Sequence, residues 1–344
     1  MSEPITRGAV VGAGVMGAEI ALVAAVGGDP VTLLDIDRSA LQRGVAHAQS
    51  AGQRQVDRDR LTAPALAEAL ERITTTTAVD ELAACNLVIE AVPENLALKE
   101  RVLAQIAAAV SPTTIVASNT SGLSISGLAQ AAPPAGRVVG LHFFNPPSVM
   151  RLVEVIRGES TDQSTARRAA DFARGLGKTP VAVRECPGFV VNRILLRAMA
   201  SAYLERSVSA VAPELIDAAV VAAGPSPMGP HTLGDLIGLD TMEAIRSDLE
   251  VAYGDRFADG GVLAERVGAG RLGRKSGGGF FTGKTEPVDA ADDLIERMRT
   301  VYYGAAADEA NLLLTEGIAT REDINTAMRL GAGWTAGPLE EEHA

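Results

Sequence analysis

Ala9-Val10-Val11-Gly12-Ala13-Gly14-Val15-Met16-Gly17-Ala18 governs the reading of the whole chain, because a short apolar run meets Gly-x-Gly-x-x-Gly and then a helix-forming stretch. Each glycine answers a different need. The first permits a tight turn, the second lets backbone approach a pyrophosphate, and the third allows close helix packing. The start of the helix, at Val15 and Met16, then faces the phosphates with its unpaired amides. A glycine triplet alone is weak, but Val31-Thr32-Leu33-Leu34-Asp35 adds a second strand ending in an acid at about the spacing a dinucleotide site requires. Asp35 would accept hydrogen bonds from the adenosine ribose and repel a phosphate on that ribose, which favours NAD over NADP. Asp37 competes for this role and Arg38 could tolerate a ribose phosphate, although a solvated helix start accounts for both.

Outward from this segment, apolar strand-like runs alternate with helical stretches at 73–77, 87–92, 114–118, 138–141, 153–156 and 181–183. That alternation predicts an α/β fold, an N-terminal Rossmann-type doubly wound sheet spanning residues 1–185. Residues 39–72 read as a helical hairpin inserted between two strands and projecting from the sheet, with Leu61-Thr62-Ala63-Pro64 as its turn and N-cap. Beyond Cys186-Pro187-Gly188-Phe189 helical periodicity takes over, so an all-helical C-terminal domain is expected over 186–284. A chain of 344 residues with 47% apolar content is long enough for two cores. A net charge of −12 argues against nucleic-acid or anionic-membrane binding. Cys85 and Cys186 give neither metal-ligand spacing nor a disulfide framework, and no apolar run is long enough to span a bilayer. A cytoplasmic location fits best.

The chemistry resides in His142, within Leu141-His142-Phe143-Phe144-Asn145-Pro146, and in Glu154, twelve positions later in Leu152-Val153-Glu154-Val155-Ile156. An imidazole exchanges protons near neutral pH, and a neighbouring carboxylate can fix its tautomer and favour its charged form. Without context, a His beside two Phe residues is more often a core residue. Equally, Glu154 could be an exposed position on an alternating strand.

Several ordered motifs supply that context: the fingerprint, Val88-Ile89-Glu90-Ala91-Val92-Pro93-Glu94-Asn95-Leu96 with Lys99, Ser118-Asn119-Thr120-Ser121, the His142 and Glu154 segments, Pro187-Gly188-Phe189-Val190-Val191-Asn192-Arg193, and Gly273-Arg274-Lys275-Ser276-Gly277-Gly278-Gly279-Phe280-Phe281. Through them the chain resembles the 3-hydroxyacyl-CoA dehydrogenase family, of the 3-hydroxybutyryl-CoA dehydrogenase kind. The resemblance implies an NAD-dependent enzyme that interconverts an L-3-hydroxyacyl-CoA thioester and its 3-oxo form, its site lying between sheet and helical domain. It implies His142 as the base and Glu154 as the group that orients it, with Ser121 and Asn192 hydrogen-bonding the substrate. Gly12, Gly14, Val15, Met16, Gly17, Asp35, Glu94, Lys99, Ser118 and Asn145 are the implied cofactor contacts. A lysine is usual on the hairpin for the coenzyme's phosphates, whereas residues 53–61 hold none. Arg58, which can grip phosphate bidentately, is the substitute. A carrier-protein thioester, a free 3-hydroxy acid and a noncatalytic NAD-binding protein are the alternatives.

Residues 285–344 contain an echo: Ile216, Asp217 and Gly229 align with Ile324, Asn325 and Gly337, each pair 108 positions apart. They read as a truncated second copy of the helical domain followed by a solvated tail from Glu340. Single-copy relatives in the family generally dimerise through the helical domain, and a homodimer is the expectation here.

Overall fold

In the computed structural model eight short runs pair into one sheet: β1 (Gly8–Val11), β2 (Val31–Leu34), β3 (Ile73–Thr76), β4 (Leu87–Glu90), β5 (Ile115–Ser118), β6 (Val138–Phe143), β7 (Leu152–Arg157) and β8 (Thr179–Arg184). The order across the sheet is β3-β2-β1-β4-β5-β6-β7-β8, parallel throughout except where β7 runs against β6. Strand order reverses at β1, which has β2 on one side and β4 on the other, and ligands of such sheets bind at this switch point. The expected doubly wound sheet is therefore the observed one. Its helices are α1 (Val15–Val26), α2 (Arg38–Val56), α3 (Ala63–Glu71), α4 (Leu96–Ala109), α5 (Ile125–Gln130) and α6 (Gln163–Gly175).

Helix α1 is apolar on nearly every side because it is covered on two of them. Ile20, Ala21, Ala24 and Ala25 enter the main core with Val10, Leu33, Val139 and Val153. Ala18 and Leu22 meet Ala48 and Ala51 of α2 and Leu66 of α3 in a second cluster. The hairpin thus lies on α1 instead of projecting from the sheet. Small residues bring the backbones together: a Cβ on Gly44 would sit 2.7 Å from the Ala13 carbonyl oxygen, and one on Gly52 would sit 2.2 Å from Leu66 Cδ1. Burying Leu22 and Leu66 there contributes roughly 1.5–3 kcal/mol each. Thr62 caps α3 by accepting from the Ala65 amide, with Pro64 in the first turn, where its missing N–H costs nothing.

The chain divides into two units, Met1–Glu185 and Cys186–Ala344. The second is built from α7 (Val191–Ser209), α8 (Pro213–Ala223), α9 (Pro230–Ile237), α10 (Leu239–Tyr253), α11 (Val262–Gly268), α12 (Asp292–Met298), α13 (Ala305–Thr315) and α14 (Arg321–Gly331), with a π-helical turn, Arg299–Gly304, joining α12 to α13. The structure describes residues 5–283 and 286–340, so the boundary expected at 284 and 285 and residues 341–344 of the tail lie outside the described residues, while Glu340, expected to open that tail, is tied to Arg329 at 2.7 Å. Among the described residues no helix is long and apolar enough to cross a membrane.

Candidate active site

The fingerprint turn leaves no room for side chains at two of its glycines. Gly12 has φ +105°, and a Cβ there would lie 2.8 Å from the Ala91 carbonyl oxygen. A Cβ on Gly17 would come within 1.8 Å of the Gly12 carbonyl oxygen. Gly14 differs, since a Cβ there would meet nothing within 4 Å. The space beside it is open, which leaves room for a pyrophosphate against the N-terminus of α1. Asp35 Oδ2 accepts from the Ala13 amide at 2.8 Å, so this carboxylate is fixed beside the turn. Asp37 faces away, capping α2 through the Ser39 amide at 2.8 Å, and the Ser39 hydroxyl and amide hold its carboxyl below the usual range. Ribose recognition by Asp35 predicts that Asp35→Ala weakens NADH binding by roughly 10- to 100-fold while NADPH gains on it, the size of hydrogen bonds to a charged group. Fluorescence titration with both nucleotides measures this, and an unchanged ratio would remove Asp35 from ribose recognition.

His142 and Glu154 are direct cross-strand partners in the antiparallel β6–β7 pair. Their neighbours Leu141, Phe143, Val153 and Val155 enter the core on the face covered by α1 and α6, so the pair points to the opposite face, one residue out of phase. His142 Nδ1 lies 2.7 Å from Glu154 Oε2, with His142 6% exposed and Glu154 0%. Phe144 stands against the imidazole at 4.5 Å between ring centroids. Asn119 Oδ1 accepts from the Phe143 amide at 2.8 Å, fixing the end of β6 next to the histidine.

A second buried constellation gathers at the ends of β4 and β5. Glu90, fully buried, accepts from Lys99 Nζ at 2.8 Å, the Val92 amide at 2.7 Å and the Ser118 hydroxyl at 2.5 Å. Lys99 Nζ also lies 3.3 Å from Glu94 Oε2, and Glu94 Oε1 accepts from the Thr120 hydroxyl at 2.5 Å and the Ser121 amide at 3.0 Å. One chain of charges therefore runs from the strand ends to the Ser121 turn. The loop after β6, which carries Asn145, is pinned on both sides. Glu19 of α1 accepts from the Ser148 amide and hydroxyl, and Lys178 donates to the Pro147 and Met150 carbonyls. Burial pushes the Lys178 ammonium down to about 8.

The structure thus brings together Gly12, Gly14, Gly17 and Asp35, pairs His142 with Glu154, and links Glu94, Lys99, Ser118 and the Ser121 backbone. Val15 and Met16 open α1, Val15 being more than half exposed. The side chains of Lys99 and Ser118 are buried on Glu90, so their direct partners are protein groups. Arg58 is exposed in the turn after α2, and Asn192 is half-buried in the first turn of α7 in the second unit. Sequence reading passed over Glu90 and Asn119 as site residues. Glu90 did carry a signal, an acid closing the apolar run Leu87-Val88-Ile89. His47 leans on Glu19 at 3.0 Å and His231 is buried beside Asp217 at 2.8 Å.

Comparison with known proteins agrees with this geometry. Residues 8–186 match the family described as 3-hydroxyacyl-CoA dehydrogenase, NAD binding domain, and residues 188–283 match its C-terminal domain. The chain is 39% identical over 288 residues to the fatty acid oxidation complex subunit alpha of Pseudomonas syringae; this covers 83% of the chain but 40% of that protein. It is 41% identical over 273 residues to the probable 3-hydroxybutyryl-CoA dehydrogenase of Deinococcus radiodurans, covering 79% of the chain and 98% of the relative. Among solved structures, 3-hydroxybutyryl-CoA dehydrogenase of Escherichia coli superposes with a TM-score of 0.90 at 31% identity, over 98% of this chain and 91% of that one.

Proposed function

The chain belongs to the 3-hydroxyacyl-CoA dehydrogenase family, and from that premise we propose that it is an NAD-dependent oxidoreductase interconverting a short-chain L-3-hydroxyacyl-CoA and the 3-oxoacyl-CoA. The observation that carries the reading is the buried His142–Glu154 pair at 2.7 Å, set on a sheet whose first turn fits a dinucleotide.

When bound at the fingerprint, NAD supplies the acceptor for the C3 hydride. His142 does the proton work. Glu154 engages its Nδ1, and Nε2 is the atom that takes the proton of the 3-hydroxyl as the hydride departs, or returns one in reduction. Oxidation of an alcohol releases a proton that cannot escape into apolar surroundings. Glu154, itself fully buried, stabilises the imidazolium that receives it. Ser121 and Asn192 hold the substrate oxygens, each a neutral group that binds a ketone without trapping it in an ion pair. Gly12, Gly14, Val15, Met16, Gly17 and Asp35 hold the dinucleotide, with Glu94, Lys99, Ser118 and Asn145 shaping its nicotinamide end. Arg58 meets the phosphates of the coenzyme handle, and a net charge of −12 over the chain makes such a local cation necessary for an anionic substrate. The same reading has the reaction take place in the cytoplasm, in a homodimer.

The deciding experiment follows NADH oxidation by the purified protein with acetoacetyl-CoA, beside NADPH and free acetoacetate. Turnover specific to NADH and the thioester is expected. Tight NADH binding with no turnover of the thioester would overturn the substrate assignment.

A further inference from the structure

Residues 286–340 lie beyond the part of the chain that matches the family, yet they contact its most buried arginine. Arg193 directly follows Asn192 in α7 and has no solvent exposure. Its Nε donates to Glu309 at 2.6 Å, and its two terminal nitrogens donate to Glu316 at 2.8 and 2.9 Å. Its underside is packed over the Tyr253 ring at 4.1 Å. Glu309, 1% exposed, also accepts from Arg256 at 3.0 and 3.2 Å. Burial alone would pull the Arg193 guanidinium down, but the hydrogen bonds it donates to Glu316 and Glu309 hold it above the usual arginine value.

The geometry of the echo indicates where these carboxylates come from. Helices α8 and α14 start and end 108 positions apart. Asp217 Oδ1 accepts from the His231 amide at 2.9 Å, and Asn325 Oδ1 accepts from the Leu339 amide at 3.0 Å, over the same sequence separation. A Cβ on Gly229 would lie 2.3 Å from Asp217, and one on Gly337 would lie 2.4 Å from Asn325. The same turn is thus built twice, on the same kind of close approach. At that offset Arg193 corresponds to Val301, and Glu309 to Ser201. The first copy therefore holds the cation without the acid, and the second holds the acid without the cation.

We infer that Glu309 and Glu316, supplied by the segment that repeats α7 and α8, are positioning residues that fix Asn192 through Arg193. The inference rests on the assignment of Asn192 to substrate made above. With the arginine held at three nitrogens, the first turn of α7 has one setting, and the Asn192 side chain is presented from it. Loss of either acid loosens that setting while leaving the dinucleotide turn and the His142–Glu154 pair untouched.

Two measurements on Glu316→Gln and Glu309→Gln test this: steady-state kinetics with acetoacetyl-CoA, and hydrogen exchange of the 187–196 segment. Glu316 is 38% exposed, so its variant carries the smaller folding risk. The expected result is a KM for the thioester raised roughly tenfold, the size of one charged hydrogen bond, with kcat and NADH affinity little changed and exchange at 187–196 accelerated. Glu309→Asp should recover part of the lost KM. Unchanged KM and unchanged exchange would overturn the inference. Faster exchange with unchanged KM would also overturn it, leaving the network a purely structural one. If the wild-type protein did not turn over acetoacetyl-CoA, the proposed function would fail instead, and exchange would still report whether the two glutamates hold α7.

Discussion

His142→Ala is expected to lower kcat for acetoacetyl-CoA reduction by roughly 10²–10⁴-fold, the range spanned by loss of a positioned general acid, while the dissociation constant for NADH stays within about twofold of wild type. The two effects separate because the imidazole and the dinucleotide turn are different constructions: the histidine sits on β6, fixed by Glu154 and by Asn119 at the Phe143 amide, whereas the turn is set by Gly12, Gly17 and Asp35. Glu154→Gln provides the sharper comparison. The amide keeps the shape of the carboxylate and a contact to Nδ1, but it cannot balance a charged ring in a place without solvent. A fall in kcat with little change in KM would therefore show that the charge matters only as the proton arrives. Stopped-flow and steady-state assays measure both variants. A His142→Ala protein retaining more than a tenth of wild-type kcat would remove the imidazole from the chemistry.

That pair shows where a sequence stops being legible. The strands, the fingerprint and the helical second unit follow from local patterns, because short apolar runs, helical periodicity and glycine spacing are imposed residue by residue. The contact between His142 and Glu154 is not local. Twelve positions separate them, and only the reversal of β7 against β6, in a sheet otherwise parallel at that point, makes them neighbours. Coverage of both faces of β7 defeats the reading of Glu154 as exposed. Alternation implies one wet face, but β7 is buried from Leu152 to Ile156, so Leu-Val-Glu-Val-Ile hides its acid as well as its aliphatics. Lys99 misleads in a similar way. The resemblance makes it a cofactor contact, yet it is 1% exposed because α4 turns it toward Glu90 at the end of β4. The hairpin was readable as a hairpin, while its position against α1 depended on Gly44, which meets the Ala13 carbonyl before α1, and on Ala48 and Ala51. Small residues permit close approach without naming the element that approaches.

Lys99→Met is expected to destabilise the protein by about 3–5 kcal/mol, because it leaves Glu90 as a buried charge without its cation. For a unit of this size that corresponds to a fall in melting temperature of roughly 8–16 °C. The remaining partners of Glu90, the Val92 amide and the Ser118 hydroxyl, satisfy its oxygens but carry no net charge. If the penalty is electrostatic, pairing Lys99→Met with Glu90→Gln should restore much of the loss, since two neutral groups can pack where one charge cannot. A cavity or packing defect at the lysine stem would leave the double variant as unstable as the single one. Calorimetry of the four proteins in the cycle distinguishes the two causes. The double variant also has a functional consequence. Without Lys99, Glu94 keeps the Thr120 hydroxyl and the Ser121 amide but loses the cation that holds its other oxygen. A protein restored in stability yet raised in KM for the thioester would then show that the lysine orients the Ser121 turn from beneath, a role distinct from contact with the cofactor.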